Sequence, residues 1–208
     1  MSTITPTPTS WARRPPVVLA DAVPGGLVRD VGLVAAGTLF MALMSQIAIP
    51  VPPSPVPITG QTLAVVVCGA ALGPNRGAAA MLVWLALGLW LPVYADGDHG
   101  LAQLTGATGG YIVGFVLAAY VVGRLARLGA DRRVGVAFAA FVAGQLIVFG
   151  LGVPWLKAST GMSWSTAIHD GFTIFIVGGL LKAALAALVV PGAWRCVRRL
   201  DGQWPRRP

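Results

Sequence analysis

The longest uncharged stretch of this sequence runs from Val31 to Asn75. A helix needs about 20 apolar residues to cross a bilayer, so the stretch is long enough for two crossings. Proline disrupts the interior of a regular helix, and the middle of the stretch holds Pro50, Pro52, Pro53, Pro55 and Pro57. The stretch therefore predicts two membrane helices joined by a proline-rich turn.

The composition agrees with a membrane protein and not with a soluble domain. Hydrophobic residues make up 56% of the 208-residue chain and charged residues only 11%, whereas soluble domains carry about 25% charged residues. Only helices and closed barrels satisfy their own backbone groups in lipid. Because the apolar runs lack the two-residue alternation of barrel strands, we predict an all-α fold.

Short groups of charged residues divide the rest of the chain into further apolar runs. The sequence predicts an integral membrane bundle of six transmembrane helices, at about residues 30–49, 59–73, 77–95, 107–124, 134–155 and 171–194. Together these spans form one transmembrane domain over residues 27–195. An N-terminal arm (1–26) without the pattern of a cleaved signal peptide is expected to be mobile, and a basic tail (196–208) follows the last span.

The basic residues give the orientation of the bundle. Lys157 lies on the outer side of this arrangement and Lys182 lies within the sixth span, whereas every other basic residue falls on the side of the two termini: Arg13, Arg14, Arg29, Arg76, Arg124, Arg127, Arg132, Arg133, Arg195, Arg198, Arg199, Arg206 and Arg207. Cytoplasmic loops gather Lys and Arg, so we predict a multi-pass protein of the cell membrane with both termini cytoplasmic. The same rule accounts for the net charge of +8 without a nucleic-acid partner.

Lys182 is the most informative single residue, because it lies near the middle of the sixth predicted span. A charge at the centre of a membrane helix costs at least about 2.5–3.5 kcal/mol, and no acidic residue lies in the interior of any predicted span. A bound anion, backbone carbonyls or water are the candidate partners. The alternative is that the side chain extends to the membrane surface.

A glycine-rich segment at the start of the fourth span is a second candidate. It contains Thr108, Gly109, Gly110 and Tyr111. Glycine allows a ligand to approach the backbone, free N–H groups at a helix start favour polar oxygens, and Tyr111 can stack on a flat ring and offer its hydroxyl. The alternative is close helix packing through small residues.

Two further groups of residues lie in the first half of the chain. Gln61 and Thr62, at the outer start of the second span, are predicted to form an outward-facing rim with Tyr94 and Gln103; their alternative role is to cap that helix. In the first span, Thr38 and Ala42 are four residues apart. Small residues at this spacing allow close helix contact, either inside the bundle or with a partner subunit.

The sequence holds no recognisable catalytic set. There is no phosphate-binding loop, so energy from ATP must come from another subunit, and neither His has a second metal ligand at useful spacing. A membrane-embedded enzyme acting on lipid is the alternative from another class. The only residues that could form the active site of such an enzyme are the outer segment 96–99 and the pair His169 and Asp170.

Three segments together resemble the BioY family over residues 30–193. They are PSPVPITGQTLAVVVCGAALGPNRGA, LGLWLPVYADGDHGLAQLTGATGGYIVGF and GGLLKAALA, in that order. BioY proteins are substrate-binding S components of energy-coupling factor (ECF) transporters. The resemblance implies biotin uptake without enzymatic activity or cofactor, and high-affinity binding of biotin from outside. An S component for a different vitamin is the main alternative.

The resemblance also implies partners. An ECF transporter adds a transmembrane coupling subunit and two ATPase subunits that drive release inward, all within membrane lipid. In this family, small residues spaced by four on the first helix dock to the coupling subunit. Thr38 and Ala42 occupy that place here, with Thr in place of an expected Ala.

The sequence departs from the family pattern at Gly179, where the family often has an Asp three residues before the Lys of the sixth span. Something else must then accept hydrogen bonds from the ureido N–H groups of biotin: a backbone carbonyl near Gly179, Gln103 or Asp170. Lys182 is expected to meet either the ureido carbonyl or the carboxylate. The apolar lining is expected to include Val113, Phe115, Trp155 and Phe175.

Overall fold

A computed structural model describes residues 17–200 of the chain. Its helices are α1 (Leu27–Ser45), α2 (Gln61–Leu72), α3 (Pro74–Leu87), α4 (Leu101–Thr105), α5 (Gly109–Arg127), α6 (Val134–Thr160), α7 (Trp164–Gly171) and α8 (Ile176–Leu200). Two short antiparallel strands, β1 (Ala48–Ile49) and β2 (Ile58–Thr59), lie between α1 and α2. Their pairing closes the proline-rich turn and brings the start of α2 beside the end of α1.

The helical membrane character predicted from the sequence is confirmed. Within the described residues, α1, α5, α6 and the stretch Trp164–Val197 are long and apolar enough to cross a bilayer. The second predicted span corresponds to α2, which is apolar but only 12 residues long. The third corresponds to α3, with 14 residues.

Several boundaries differ from the predicted spans. α3 ends at Leu87 and not near residue 95, because the chain leaves the helix at Gly88 and folds back so that Tyr94 is buried. α6 continues to Thr160 and ends at Gly161, whose φ is +72°, so Lys157 lies in a helix and not in a loop. The predicted loop before the sixth span contains α7, which Ser163 caps by accepting a hydrogen bond from the backbone N–H of Thr166 (3.2 Å).

α5 forms the centre of the bundle and packs against α2, α3 and α6. In the most apolar stretch of α5, 61% of the residues are buried, compared with 17% in that of α1. Close approach depends on small residues: a Cβ on Gly123 would overlap the backbone of Gly73 and Pro74 in the turn between α2 and α3. α5 is therefore the scaffold against which the other helices hold their side chains.

The N-terminal segment lies against the end of the bundle that carries the arginines. Val18 and Ala20 are buried, and Asp21 forms an ion pair with Arg76 at the start of α3. Arg76 also pairs with Asp30 of α1 (3.1 Å). The rest of the predicted arm, residues 1–16, and the tail from residue 201 lie outside the described residues.

Candidate substrate-binding cavity

A cavity lies between α2, α5, α6, α8 and the loops that precede α2 and α4. Its empty space, including the part open to solvent at the mouth, is about 600 Å³. Its lining is Val56, Pro57, Thr59, Gln61, Thr62, Tyr94, Ala95, Gln103, Thr108, Tyr111, Ile112, Phe115, Val148, Phe149, Phe175 and Lys182. This mixed lining suits a small, mostly apolar molecule with a few polar groups.

Lys182 extends into this cavity from α8 and does not reach for the membrane surface. Its Nζ donates a hydrogen bond to the backbone oxygen of Thr59 at the end of β2 (2.8 Å). No described carboxylate forms an ion pair with it. A backbone carbonyl, one of the partners expected from the sequence, therefore stabilises the ammonium, and its remaining N–H donors are available to a ligand.

A chain of hydrogen bonds fixes the polar wall next to Lys182. Thr59 Oγ1 donates to Gln61 Oε1 (2.9 Å), Gln61 Nε2 donates to Ser45 Oγ (3.2 Å), and Ser45 Oγ donates to the backbone oxygen of Met41 (2.8 Å). The neighbouring Thr62 Oγ1 is buried and has no partner among the described residues. Because a buried hydroxyl without a partner is costly, Thr62 is well suited to bind a polar ligand atom.

An aromatic cluster around Phe149 forms the apolar part of the wall. The Phe149 ring packs edge-on against Tyr111 (6.3 Å between centroids) and Phe172 (5.2 Å), and lies tilted to Phe175 (6.1 Å). The Tyr111 hydroxyl donates to the backbone oxygen of Gly171 (2.9 Å). This bond holds the Tyr111 ring in place, so the cluster offers rigid flat surfaces to a ring-shaped ligand.

The mouth of the cavity is polar and lies at the opposite end of the bundle from the arginines. Gln103 Nε2 donates to Asp98 Oδ2 (2.7 Å), and Thr108 Oγ1 donates to the backbone oxygen of Gln103 (3.0 Å). Tyr94, only 1% exposed, donates through its hydroxyl to the backbone oxygen of Leu85 (2.7 Å). Gln103 and Thr108 are thus held together at the entrance.

The cavity brings together seven of the predicted site residues: Gln61, Thr62, Tyr94, Gln103, Thr108, Tyr111 and Lys182. Gly109 and Gly110 lie outside its lining and pack against Trp155 of α6. Asp170 is also outside; it is buried, and its Oδ1 lies 2.7 Å from Nδ1 of His169. Of the expected apolar residues, Phe115 and Phe175 line the cavity, whereas Val113 and Trp155 do not.

Gly179, the position that departs from the family pattern, faces a residue that sequence reasoning missed. Gln145 of α6 is 5% exposed, and its Nε2 donates to the backbone oxygen of Gly179 (2.8 Å). A Cβ on Gly179 would lie 2.5 Å from Gln145 Oε1. The available signal was that Gln145 is the single amide side chain in the fifth predicted span, and polar residues at membrane depth often mark function.

Thr38 lies inside the bundle and not on its outer surface. It is 6% exposed, and its Oγ1 donates to the backbone oxygen of Ala80 in α3 (3.1 Å). Ala42 is half-buried. The outward face of α1 is apolar instead, with Leu39 60% and Leu43 59% exposed.

A sequence model described as the BioY family matches residues 12–199, nearly the whole chain. The chain belongs to the BioY family. The chain is also similar in sequence to curated proteins that are named as biotin transporters. It is 40% identical to the biotin transporter BioY of Rhodobacter capsulatus, over 76% of this chain and 88% of the relative. It is 35% identical to the biotin transporter BioY2 of Lactococcus lactis, over 75% of this chain and 85% of the relative.

The fold is also that of a solved structure. One such structure is a crystal structure described as the S-component for biotin from an ECF-type ABC transporter, to which the chain is similar with a TM-score of 0.72 and 27% identity. It covers 85% of this chain and 92% of the other. The family match and the fold match therefore each cover most of the chain.

Proposed function

We propose that this chain is the biotin-binding S component of an ECF-type transporter and that its cavity takes up biotin from outside. The observation that carries the proposal is the cavity itself, in which the ammonium of Lys182 and the unpartnered hydroxyl of Thr62 meet an aromatic wall. The BioY relatives and the solved biotin S-component support the same substrate.

The chemistry of biotin suits this lining. Its bicyclic body is apolar and flat enough to lie against Tyr111, Phe149 and Phe175, while its ureido group and carboxylate need polar partners. Lys182 donates either to the ureido oxygen or to the carboxylate, and Thr62, Gln103 and Thr108 supply further polar atoms. A pocket with an apolar lining and a few fixed polar groups binds one small molecule selectively.

The proposed topology has six crossings, formed by α1, α2, α3, α5, α6 and α8. The exposed arginines at the ends of α5 and α8 lie on the cytoplasmic side with both termini, following the positive-inside rule. The cavity mouth with Asp96 and Asp98 then faces outside. This orientation lets biotin enter the cavity before transfer inward.

The chain needs partners to move biotin against a gradient. It carries no phosphate-binding loop, so a coupling subunit and two ATPase subunits supply the energy, and the chain itself has no enzymatic activity. The apolar outward face of α1, with Leu39 and Leu43, is the surface proposed to meet the coupling subunit. Ala42 lies next to that face, whereas Thr38 contributes from within the bundle.

Ligand binding to the purified protein tests the proposal. We expect biotin to raise the thermal midpoint in detergent by several degrees and other vitamins at the same concentration to leave it unchanged, because a ligand stabilises only the state that it binds. A response to another vitamin without a response to biotin would show that the chain is an S component of different specificity. Titration calorimetry with biotin gives the affinity directly.

A further inference from the structure

Gln145 combines three features that set it apart from the other polar residues of the bundle. It lies within the apolar helix α6, it is buried, and only half of its carboxamide has a partner. Nε2 donates to the carbonyl oxygen of Gly179, which can only accept, so the orientation of the amide is determined by its partner. Oε1 therefore points away from that carbonyl, and no described residue donates to it.

Gln145 does not itself line the cavity that contains Lys182, but it lies on the same side of α6 as two residues that do. Val148 and Phe149, one helical turn further along α6, both line that cavity, and residues three and four apart share a helix face. An apolar pocket that opens at the surface of the bundle, beside the exposed Leu146 and Leu180, is lined by Gln145, Gly179 and Phe149. Among the described residues, Phe149 alone lines both pockets.

Gln145 and Gly179 fit each other sterically. A side chain at position 179 would have its Cβ 2.5 Å from Gln145 Oε1, a distance that real Cβ atoms do not show, so the carboxamide fills the volume that such a side chain would occupy. Position 179 lies one turn before Lys182 on α8. The carboxamide oxygen of α6 thus lies beside α8 one turn before the ammonium of Lys182.

We propose that Gln145 is a substrate-contacting residue whose Oε1 accepts a hydrogen bond from a ureido N–H of biotin when the Phe149 ring turns aside. This inference rests on the proposed function. A ureido group has two N–H donors and one acceptor, and each needs a partner when it leaves water. Lys182 supplies only donors, whereas Gln145 Oε1 supplies an acceptor beside the same part of α8.

The test compares biotin affinity in Gln145→Met and Gln145→Ala with the parent by titration calorimetry. We expect each variant to lose roughly tenfold or more in affinity, because one hydrogen bond to a buried ligand is removed. Val136→Ala, an exposed position on the same helix, serves as the control and keeps the parent affinity. Thermal midpoints without biotin establish that the variants are folded.

A second substitution separates direct contact from a merely structural role. In Gln145→Ala the space beside Gly179 is open, so adding Gly179→Asp returns an acceptor to the same place and should restore part of the affinity. Unchanged affinity in both Gln145 variants, or a double variant no better than Gln145→Ala, would overturn the inference. If the parent itself fails to bind biotin, the proposed function fails instead.

Discussion

At the scale of single residues, Lys182 and Lys157 form a natural comparison, because they are the only lysines of the chain. Lys182 lines the cavity and donates to Thr59. Lys157 lies in the last turn of α6 with its Nζ 5.5 Å from the centre of the Trp164 ring. The two residues have the same charge and length, but only Lys182 has access to a bound ligand.

We predict that Lys182→Met lowers biotin affinity by roughly 10- to 100-fold, because a hydrogen bond to a charged donor contributes about 1.5–3 kcal/mol. The midpoint of unfolding without biotin should stay within a few degrees of the parent, because an apolar side chain of similar length replaces a costly buried charge. Calorimetry and thermal unfolding in detergent measure the two effects. Lys157→Met is the control, and an equal loss of affinity in both variants would contradict a direct role for Lys182.

The sequence revealed Lys182 because a charge at membrane depth has a large and recognisable cost. Thr62 and Tyr111 could be proposed from their position at helix starts. Gly109 and Gly110 also lie at a helix start, yet they pack against Trp155. Their position could not be predicted, because spacing along one helix does not reveal which side of that helix faces the cavity. Gln145 was missed because its role depends on a neighbour 34 residues away.

At the scale of elements, the crossing of α5 over the turn between α2 and α3 depends on Gly123. A Cβ there would meet the backbone of Gly73 and Pro74, which cannot move aside as a flexible side chain can. We predict that Gly123→Ala destabilises the bundle by about 1–3 kcal/mol, the usual cost of overpacking. A lower thermal midpoint and a lower yield of monodisperse protein in detergent would show it.

Gly150 of α6 provides the matched control for this substitution, because nothing lies within 4 Å of a Cβ added there. Gly150→Ala should leave the midpoint unchanged or raise it, since Ala favours a helix by about 1 kcal/mol over Gly. If both variants lowered the thermal midpoint equally, the loss would be a general result of replacing a helical glycine. The close contact between α5 and the turn would then not be the cause.

The elements themselves could be predicted to different degrees. The uncharged stretches of the sequence predicted most ends of α1, α2, α5 and α6 to within a few residues. This was possible because the length of an apolar stretch decides where a helix can cross a membrane. The short helices α4 and α7 were missed. Their residues mix polar and apolar types over one or two turns, and their helical structure depends on local capping, as at Ser163, and on packing against longer helices.

At the scale of the whole molecule, one ion cluster joins the N-terminal segment to α1 and α3. Burial opposes the ionisation of Asp21, but the hydrogen bond and charge of Arg76, with the backbone N–H of Val18, together outweigh it and hold the pKa of this carboxyl below its usual value of 3.8. A lowered pKa in the folded protein means that the cluster stabilises the fold above the usual pKa. The contribution disappears as the pH falls through the lowered value.

We therefore predict that Asp21→Asn lowers the thermal midpoint by a few degrees at pH 7, with an energetic cost of about 1 kcal/mol because the pair is partly exposed. The difference from the parent should begin to shrink below about pH 4, where Asp21 of the unfolded chain takes up a proton, and should vanish as the pH falls through the lowered pKa of the folded protein. Midpoints measured from pH 7 to pH 3 test this. Asp96→Asn, at an exposed position without an ion pair among the described residues, should show no such convergence.

The orientation of the molecule in the membrane can be tested with thiols, because its two cysteines differ. Cys68 is buried and Cys196 is exposed near the end of α8. We predict that a membrane-impermeant maleimide leaves Cys196 unlabelled in intact cells and labels it in inside-out vesicles, because the positive-inside rule places that end in the cytoplasm. A cysteine introduced at the exposed outer position His99, by His99→Cys, should show the opposite pattern. Labelling of Cys196 from outside would mean that the protein has the opposite orientation, with the mouth of the cavity facing the cytoplasm. Capture of a substrate from outside would then be contradicted.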